Sequence, residues 1–150
     1  MIERDAAKQS SDSARWEHFA HIADIGVRGI GSTVEEAFEQ AALALAAVTV
    51  ELETVNPQEE VDIRCDAPDV ELLFADWLNA LIFEGATRKM IFARFRVSVQ
   101  DGHLEGTAWG EKIDRARHHP GVEVKGATYT ELAVRREVEG HWIAQCVVDV

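Results

Sequence analysis

Two aspartates have the surroundings that chemistry needs. Asp24 lies between apolar Ala23 and Ile25, just before Gly26, at a bend between two strand-like runs. Asp149 closes the apolar run Cys146, Val147, Val148, and Val150 follows with a free α-carboxylate. An aspartate and a main-chain carboxylate side by side repel unless a cation sits between them. An oxygen-only set suits a hard cation such as Ca²⁺, whereas zinc takes nitrogen or sulfur. Solvated strand ends are the plain alternative. His18 and His21 are three apart, a spacing that pairs ligands on a helix. Here the stretch reads as strand, where i and i+3 fall on opposite faces, so one is expected buried and one exposed. His118-His119-Pro120 reads as a loop with solvated histidines. The sequence has no P-loop, GxGxxG, GxSxG or HExxH motif.

The elements that must position these groups follow from periodicity. Trp16 to Ile30 reads as strand, tight turn, strand, punctuated by Gly26, Gly29 and Gly31. Thr33-Val34-Glu35-Glu36 forms a capping box that opens a helix, and Val34, Ala37, Phe38, Ala41, Leu45 and Val48 follow on one face. Asn56-Pro57 marks a loop, and Val61, Ile63 and Cys65 alternate with Asp62 and Arg64 as in a half-buried strand. A second helix starts around Asp66 to Asp69, carries Val70, Leu73, Phe74, Trp77, Leu78, Leu81 and Ile82, and is expected to end at Gly85. Trp77 and Trp142 are expected in the core. Asp76 and Asn79 lie one turn apart off the apolar stripe and are expected on an exposed polar face. Phe95, Val97 and Val99 alternate, and Asp101-Gly102 turns the chain into a strand from Leu104 to Trp109. Further strands are expected near Val122 to Val134 and Trp142 to Val150. This gives an α+β fold, with two helices packed on a mostly antiparallel sheet of six or seven strands. Residues 1–15 lack periodicity and are expected to form a disordered tail, leaving one domain over residues 16–150.

Composition narrows the function. The chain has 150 residues, with 15 Lys and Arg against 27 Asp and Glu, a formal net charge of -12. A chain of this size buries roughly 70% of its unfolded surface, enough for one core without staples. Such acidity disfavours direct nucleic-acid binding, which rests on neutralising phosphates, and equally an anionic membrane surface. It suits a cation or a basic protein partner. Cys65 and Cys146 each sit in an apolar run without a CxxC motif and read as small buried hydrophobes, a usage that fits a reducing compartment. Met1 to Arg15 is polar and of mixed charge, and no apolar run reaches the ~18 residues of a membrane span. A cytoplasmic protein is expected.

Several short motifs stand in order along the chain. They are His21-Ile22-Ala23-Asp24-Ile25-Gly26, Thr33-Val34-Glu35-Glu36-Ala37-Phe38, Asp76-Trp77-Leu78-Asn79, Gly110-Glu111 with Asp114, Glu123-Val124-Lys125-Gly126-Ala127-Thr128-Tyr129, and Asp149-Val150. Together they resemble the archease family, whose corresponding signatures are H-T-A-D-I, T-L-E-E-A-F, D-W-L-N, E-V-K-A-x-T-Y and a closing D-I. The resemblance runs from Trp16 to Val150. Ile22 replaces the usual threonine, Gly126 intrudes after the E-V-K run, Thr130 stands where histidine or serine is frequent, and Val150 replaces isoleucine.

The resemblance implies a small α+β protein of two strand-helix-strand-strand type modules. It implies an activator, not itself an enzyme, of the GTP-dependent RNA ligase that joins 2′,3′-cyclic-phosphate or 3′-phosphate ends to 5′-hydroxyl ends, as in tRNA splicing. Archeases promote guanylylation of the ligase histidine and sustain multiple turnover. A Ca²⁺ site is implied at Asp24, Asp149 and the carboxylate of Val150, with Lys125 a candidate functional residue near the same tip. Taken without the family, Lys125 reads as a solvated charge. Two other functions compete: a freestanding metal-dependent hydrolase using Asp24, Asp149 and a nearby histidine or Glu111, and a small-ligand or structural interaction module.

Overall fold

The alternating and helical patterns resolve into two layers of sheet around two long helices. The computed structural model describes residues 14–150. Strand β1 (Arg15–His21) and β2 (Asp24–Gly31) form an antiparallel hairpin. Helix α1 (Val34–Thr49) follows, its Thr33 hydroxyl accepting from the Glu36 amide at 3.1 Å. The capping box closes one residue early: the Glu36 carboxylate accepts from the amide and hydroxyl of Ser32, at 2.7 and 3.0 Å, and not from Thr33. The buried face of α1 is small, with Ala37, Ala41, Ala42 and Ala44 beside Phe38 and Leu45. A side chain on Gly29 would strike the α1 main chain at Ala37 and Ala41, so the helix rests directly on β2.

Strand β3 (Glu59–Asp66) buries Val61, Ile63 and Cys65 and exposes the residues between them. Helix α2 (Val70–Arg88) is capped by Asp69, which accepts from the Leu72 amide at 2.8 Å. The expected stop at Gly85 is overturned. The Gly85 carbonyl accepts the Lys89 amide, an Arg88–Glu84 ion pair holds the last turn at 2.6 Å, and Lys89 supplies the left-handed cap at φ 57°. Strands β4 (Met90–Gln100) and β5 (His103–Lys112) join through Asp101 and Gly102, both at positive φ (52° and 75°), as a two-residue primed hairpin turn requires.

Beyond β5 the expectations needed more correction. A short helix α3 (Arg115–His118) stands where a loop was expected. The single strand expected over 122–134 is two short ones, β6 (Gly126–Ala127) and β7 (Ala133–Arg136), which share one edge of β8 (Trp142–Asp149). Ala127 pairs with Val148 and Ala133 with Gln145, so six steps of one chain face three of the other and the surplus leaves the ladder as a turn.

The sheet is also two sheets: β1-β2-β8-β6, with β7 also on β8, and β3-β5-β4. The α+β class holds, and β3-α2-β4-β5 is a contiguous strand-helix-strand-strand module. The larger sheet has no such contiguity, because β2 pairs with the much later β8. Trp77, Phe38, Phe74, Leu73, Leu78, Leu104, Val27, Cys146 and Val148 form the core, with Trp142 half-buried against it. Burial pushes the Cys146 thiol up to about 12, and burial with the nearby Asp76 and Asp66 charges pushes Cys65 up to about 11, so both behave as small hydrophobes.

Helix carboxylates also blunt sheet edges: Glu39 accepts from the Val97 amide of β4 at 2.9 Å, and Glu71 from the Val134 amide of β7 at 3.3 Å. The expected tail lies outside the described residues over 1–13, while Arg15 already pairs with Ile30. Among the described residues no helix is long and apolar enough to cross a membrane.

Candidate functional site

Sheet register brings the two aspartates to one place. Ile25 of β2 pairs with Val148 of β8, so Asp24 and Asp149 are the next residues outward on neighbouring strands. Asp24 also pairs with His21, and Asp149 with Gly126. His21, Asp24, Asp149 and Gly126 therefore form one row across the end of the larger sheet. Directly opposed residues put their side chains on the same face, with Cβ atoms about 4.5–5.5 Å apart. Lys125 is the next residue out, its amide donating to the Asp149 carbonyl at 2.7 Å. Val150 follows Asp149 beyond the last paired residue of β8.

Each strand arrives at this row for a local reason. The β1–β2 turn is Ile22-Ala23, with Ile22 held at φ 49° and 99% exposed. A β-branched residue in the left-handed region is strained, so the register of the flanking ladder, and not the turn residue, holds the hairpin closed. Two rows further in, a Cβ on Gly26 would strike the Phe19 ring, which leaves glycine to fit there. Two rows beyond that, Arg28 ties β1 to β8, donating to Glu17 at 2.6 Å and to Gln145 at 2.8 Å.

The row carries two carboxylates, Asp24 half-buried and Asp149 exposed. Among the described residues no hydrogen bond or ion pair reaches the carboxylates of Asp24 or Asp149. The two carboxylates offer oxygen donors, which suit a hard cation, and the His21 imidazole stands across from Asp24 in the same row. No three His, Cys, Asp or Glu side chains converge as a metal cage among the described residues. Asp24 and Asp149 bring two side-chain carboxylates against the 6–8 oxygens typical of Ca²⁺, so a calcium ion here would need further oxygens from elsewhere.

The histidines divide differently from their expected roles. His18 is exposed yet bonds through Nε2 to the Ala44 carbonyl at 2.7 Å, which anchors β1 to α1. His21 is half-buried, and its Nδ1 is buried without a hydrogen-bond partner among the described residues. His118, expected in solvent, is 2% exposed. Its Nδ1 accepts from the Asp114 amide at 2.8 Å, so the proton lies on Nε2, which donates to Glu111 at 2.8 Å. The Gly110-Glu111 and Asp114 motif carried the signal for this cluster, but its partner His118 was hidden by the apparent loop.

Glu111 is no free base. It accepts from Arg117 and from the Asn56 amide, each at 2.8 Å, as well as from His118. The Arg117 guanidinium first, then the Asn56 amide and His118, hold its carboxyl down to about 2, against an ordinary 4.5. The cluster staples α3 and the Asn56 loop onto β5 and does not join the Asp24–Asp149 row. Of the two bases a hydrolase was expected to draw on, a nearby histidine or Glu111, the second is thereby engaged elsewhere, while His21 pairs with Asp24. A depressed carboxyl contributes stability above its unfolded value, and this is lost as pH falls toward the folded one. Glu111→Gln is therefore expected to melt below wild type at pH 6, with the gap closing between about pH 4.5 and pH 2 in thermal melts. A gap that stays constant across that range would mean the Glu111 charge contributes nothing.

Asn79 is exposed, as expected, and is also engaged with β6. Its Oδ1 accepts from the Ala127 amide at 2.9 Å and its Nδ2 donates to the Ala127 carbonyl at 3.3 Å. Asp76 is exposed as expected.

Comparison with known proteins agrees with this architecture. The family model described as Archease protein family (MTH1598/TM1083) matches residues 16–150. Protein archease of Pyrococcus furiosus is 41% identical over 140 residues, covering 91% of this chain and 99% of its own length. Protein archease of Methanosarcina mazei is 34% identical over 145 residues, with coverage of 93% and 99%. The solution structure of Methanobacterium thermoautotrophicum protein 1598 superposes with a TM-score of 0.77 at 32% identity, covering 90% of this chain and 98% of that one. The crystal structure of a Thermotoga maritima archease, described as a possible chaperone, has a TM-score of 0.60 at 22% identity, a likeness of fold. With its motifs, its two-sheet fold and relatives matched over nearly their whole length, this chain belongs to the archease family.

Proposed function

We propose that this protein activates a GTP-dependent RNA ligase that seals 3′-phosphate or 2′,3′-cyclic-phosphate ends to 5′-hydroxyl ends, promoting guanylylation of the ligase and its multiple turnover. The observation that carries the reading is the pairing of Ile25 with Val148, which makes Asp24 and Asp149 the next residues outward on neighbouring strands, with the Lys125 amide on the Asp149 carbonyl. Family membership supports it, and the engagement of Glu111 by Arg117, Asn56 and His118 takes one of the two candidate bases away from a self-sufficient hydrolase. The acidic tip repels RNA and suits the basic surroundings of a ligase active site.

Asp24, Asp149 and the Val150 carboxylate are the residues to hold a Ca²⁺ or similar hard divalent ion. Such an ion supplies concentrated positive charge at the tip. The carboxylates orient toward it, and Lys125 offers a second cationic group at the end of the same sheet.

Two measurements test the reading. Calorimetry should register calcium binding to wild type and lose it in Asp24→Ala; equal heats in both sink the ion site. Ligation assays with the ligase in deficit should show no joining by this protein alone and increased turnover when both are present. Joining by the isolated protein, or no stimulation of any such ligase, overturns the activator role.

A further inference from the structure

Strand β6 is only Gly126–Ala127, at the edge of the larger sheet, yet it carries the tip. On its inner side β8 holds it. Lys125 donates to the Asp149 carbonyl at 2.7 Å, and the Thr128 amide and hydroxyl donate to the Val147 carbonyl at 3.0 and 2.8 Å. On its outer side the carboxamide of Asn79 supplies both hydrogen bonds that a further strand would make to Ala127. A primary amide has one acceptor and one donor group in the geometry of a peptide, so it substitutes for a neighbouring strand. The other helix-to-edge contacts, from Glu39 and Glu71, supply an acceptor to one amide each.

The placement of these contacts differs more than their chemistry. Glu71 and Asn79 lie on the same helix and both hold strands that pair with β8. Glu71 reaches Val134, which pairs with Ala144 in the middle of β8. Asn79 reaches Ala127, which pairs with Val148, one residue from Asp149. A two-residue edge strand makes too few contacts to fix itself, and the groups it would leave loose are Lys125 and the main chain of Asp149.

We propose that Asn79 is a positioning residue for the tip. Its carboxamide clamps β6 between α2 and β8 and thereby fixes where Lys125 and Asp149 stand. The inference deepens the activator reading, but its geometry concerns this chain alone. Partners that orient a ligand set, without touching the ion, typically account for 10- to 100-fold in affinity. Asn79 does not contact the ion; it acts through Ala127 and the strand.

The test compares Asn79→Ala with Glu71→Ala, a matched loss of a helix-to-edge contact. The reporters are the Lys125 and Thr128 amides, neither of which bonds Asn79. In amide hydrogen exchange, Asn79→Ala should raise exchange at both by about five- to tenfold, the equivalent of one lost hydrogen bond. Glu71→Ala should raise exchange at Val134 and leave Lys125 and Thr128 unchanged. Calcium affinity by calorimetry should fall about tenfold in Asn79→Ala and hold in Glu71→Ala. Wild-type exchange at Lys125 and Thr128 in Asn79→Ala overturns the proposal, as does the same acceleration in both variants. Equal calcium affinity of wild type and Asn79→Ala also overturns it. If wild type binds no calcium, the ion site fails, and exchange at Lys125 and Thr128 decides the role of Asn79 alone.

Discussion

Trp77→Ala is expected to lower unfolding stability by about 3–5 kcal/mol, the usual range for emptying an aromatic core site. Trp77 has no exposed surface, and its indole joins three parts of the core. Its Nε1 donates to the Phe38 carbonyl of α1 at 3.1 Å. Its edge meets Phe95 of β4 with ring centroids 6.2 Å apart and planes at 85°. Its six-membered ring lies where a Cβ on Gly106 of β5 would be. Two of the three contacts, a glycine and a helix main chain, bring no side chain that could move into that volume. Asp24→Ala, on the open tip, should change stability by no more than about 0.5 kcal/mol without calcium. Urea titrations of both variants in EDTA measure this. A loss below about 1 kcal/mol for Trp77→Ala would mean that the core collapses around the void, and a large loss for Asp24→Ala would recast that residue as a structural cap.

Appending residues after Val150 is expected to abolish ligase stimulation while leaving the circular dichroism melt nearly unchanged. The extension moves the α-carboxylate away from the row and adds bulk where a partner must approach, while Asp149 keeps its side chain. Paired residues of β8 stop at Asp149, so nothing in the ladder is disturbed. Asp24→Ala and Asp149→Ala should match the extended protein in the ligation assay. An extension before residue 14 should be neutral, because the chain enters the sheet at Arg15, at the opposite end of β1 from His21. Full stimulation by the C-terminally extended protein would show that the main-chain carboxylate is dispensable and would withdraw it from the site.

The first two-thirds of the fold is legible in the sequence because each element there is long enough to show its period. The α1 and α2 stripes, the β3 alternation and the Asp101-Gly102 turn all emerge as read. The end of α2 was misread because glycine, which favours helix ends, is here held within the helix by the turn that follows it. The last third is harder. β6 has two residues and no period, and His118 looks like a loop residue until Glu111 and Asp114 close around it. Asp24 and Asp149 were singled out by their apolar neighbours and by family resemblance. Their adjacency depends on the pairing of β2 with β8, which local periodicity does not encode. Asn79 was placed off the apolar stripe correctly, but its partner is another chain segment's backbone, which carries no side-chain signature.

The bond between Arg28 and Gln145 spans 117 residues of chain. Pairing across such a separation is slow, since the closure entropy must be met before the contacts form. The β1–β2 hairpin and the contiguous β3-α2-β4-β5 module need no such closure and can form early. Closure of the sheet that unites Asp24 with Asp149 is therefore expected to be part of the folding barrier, with the contacts between β2 and β8 completed only after it. The proposed ion, if held across that seam, would stabilise the finished protein more than the barrier and so slow unfolding without speeding folding. Stopped-flow kinetics in calcium and in EDTA should differ in the unfolding arm only. Faster refolding in calcium would place the seam's contacts before the barrier.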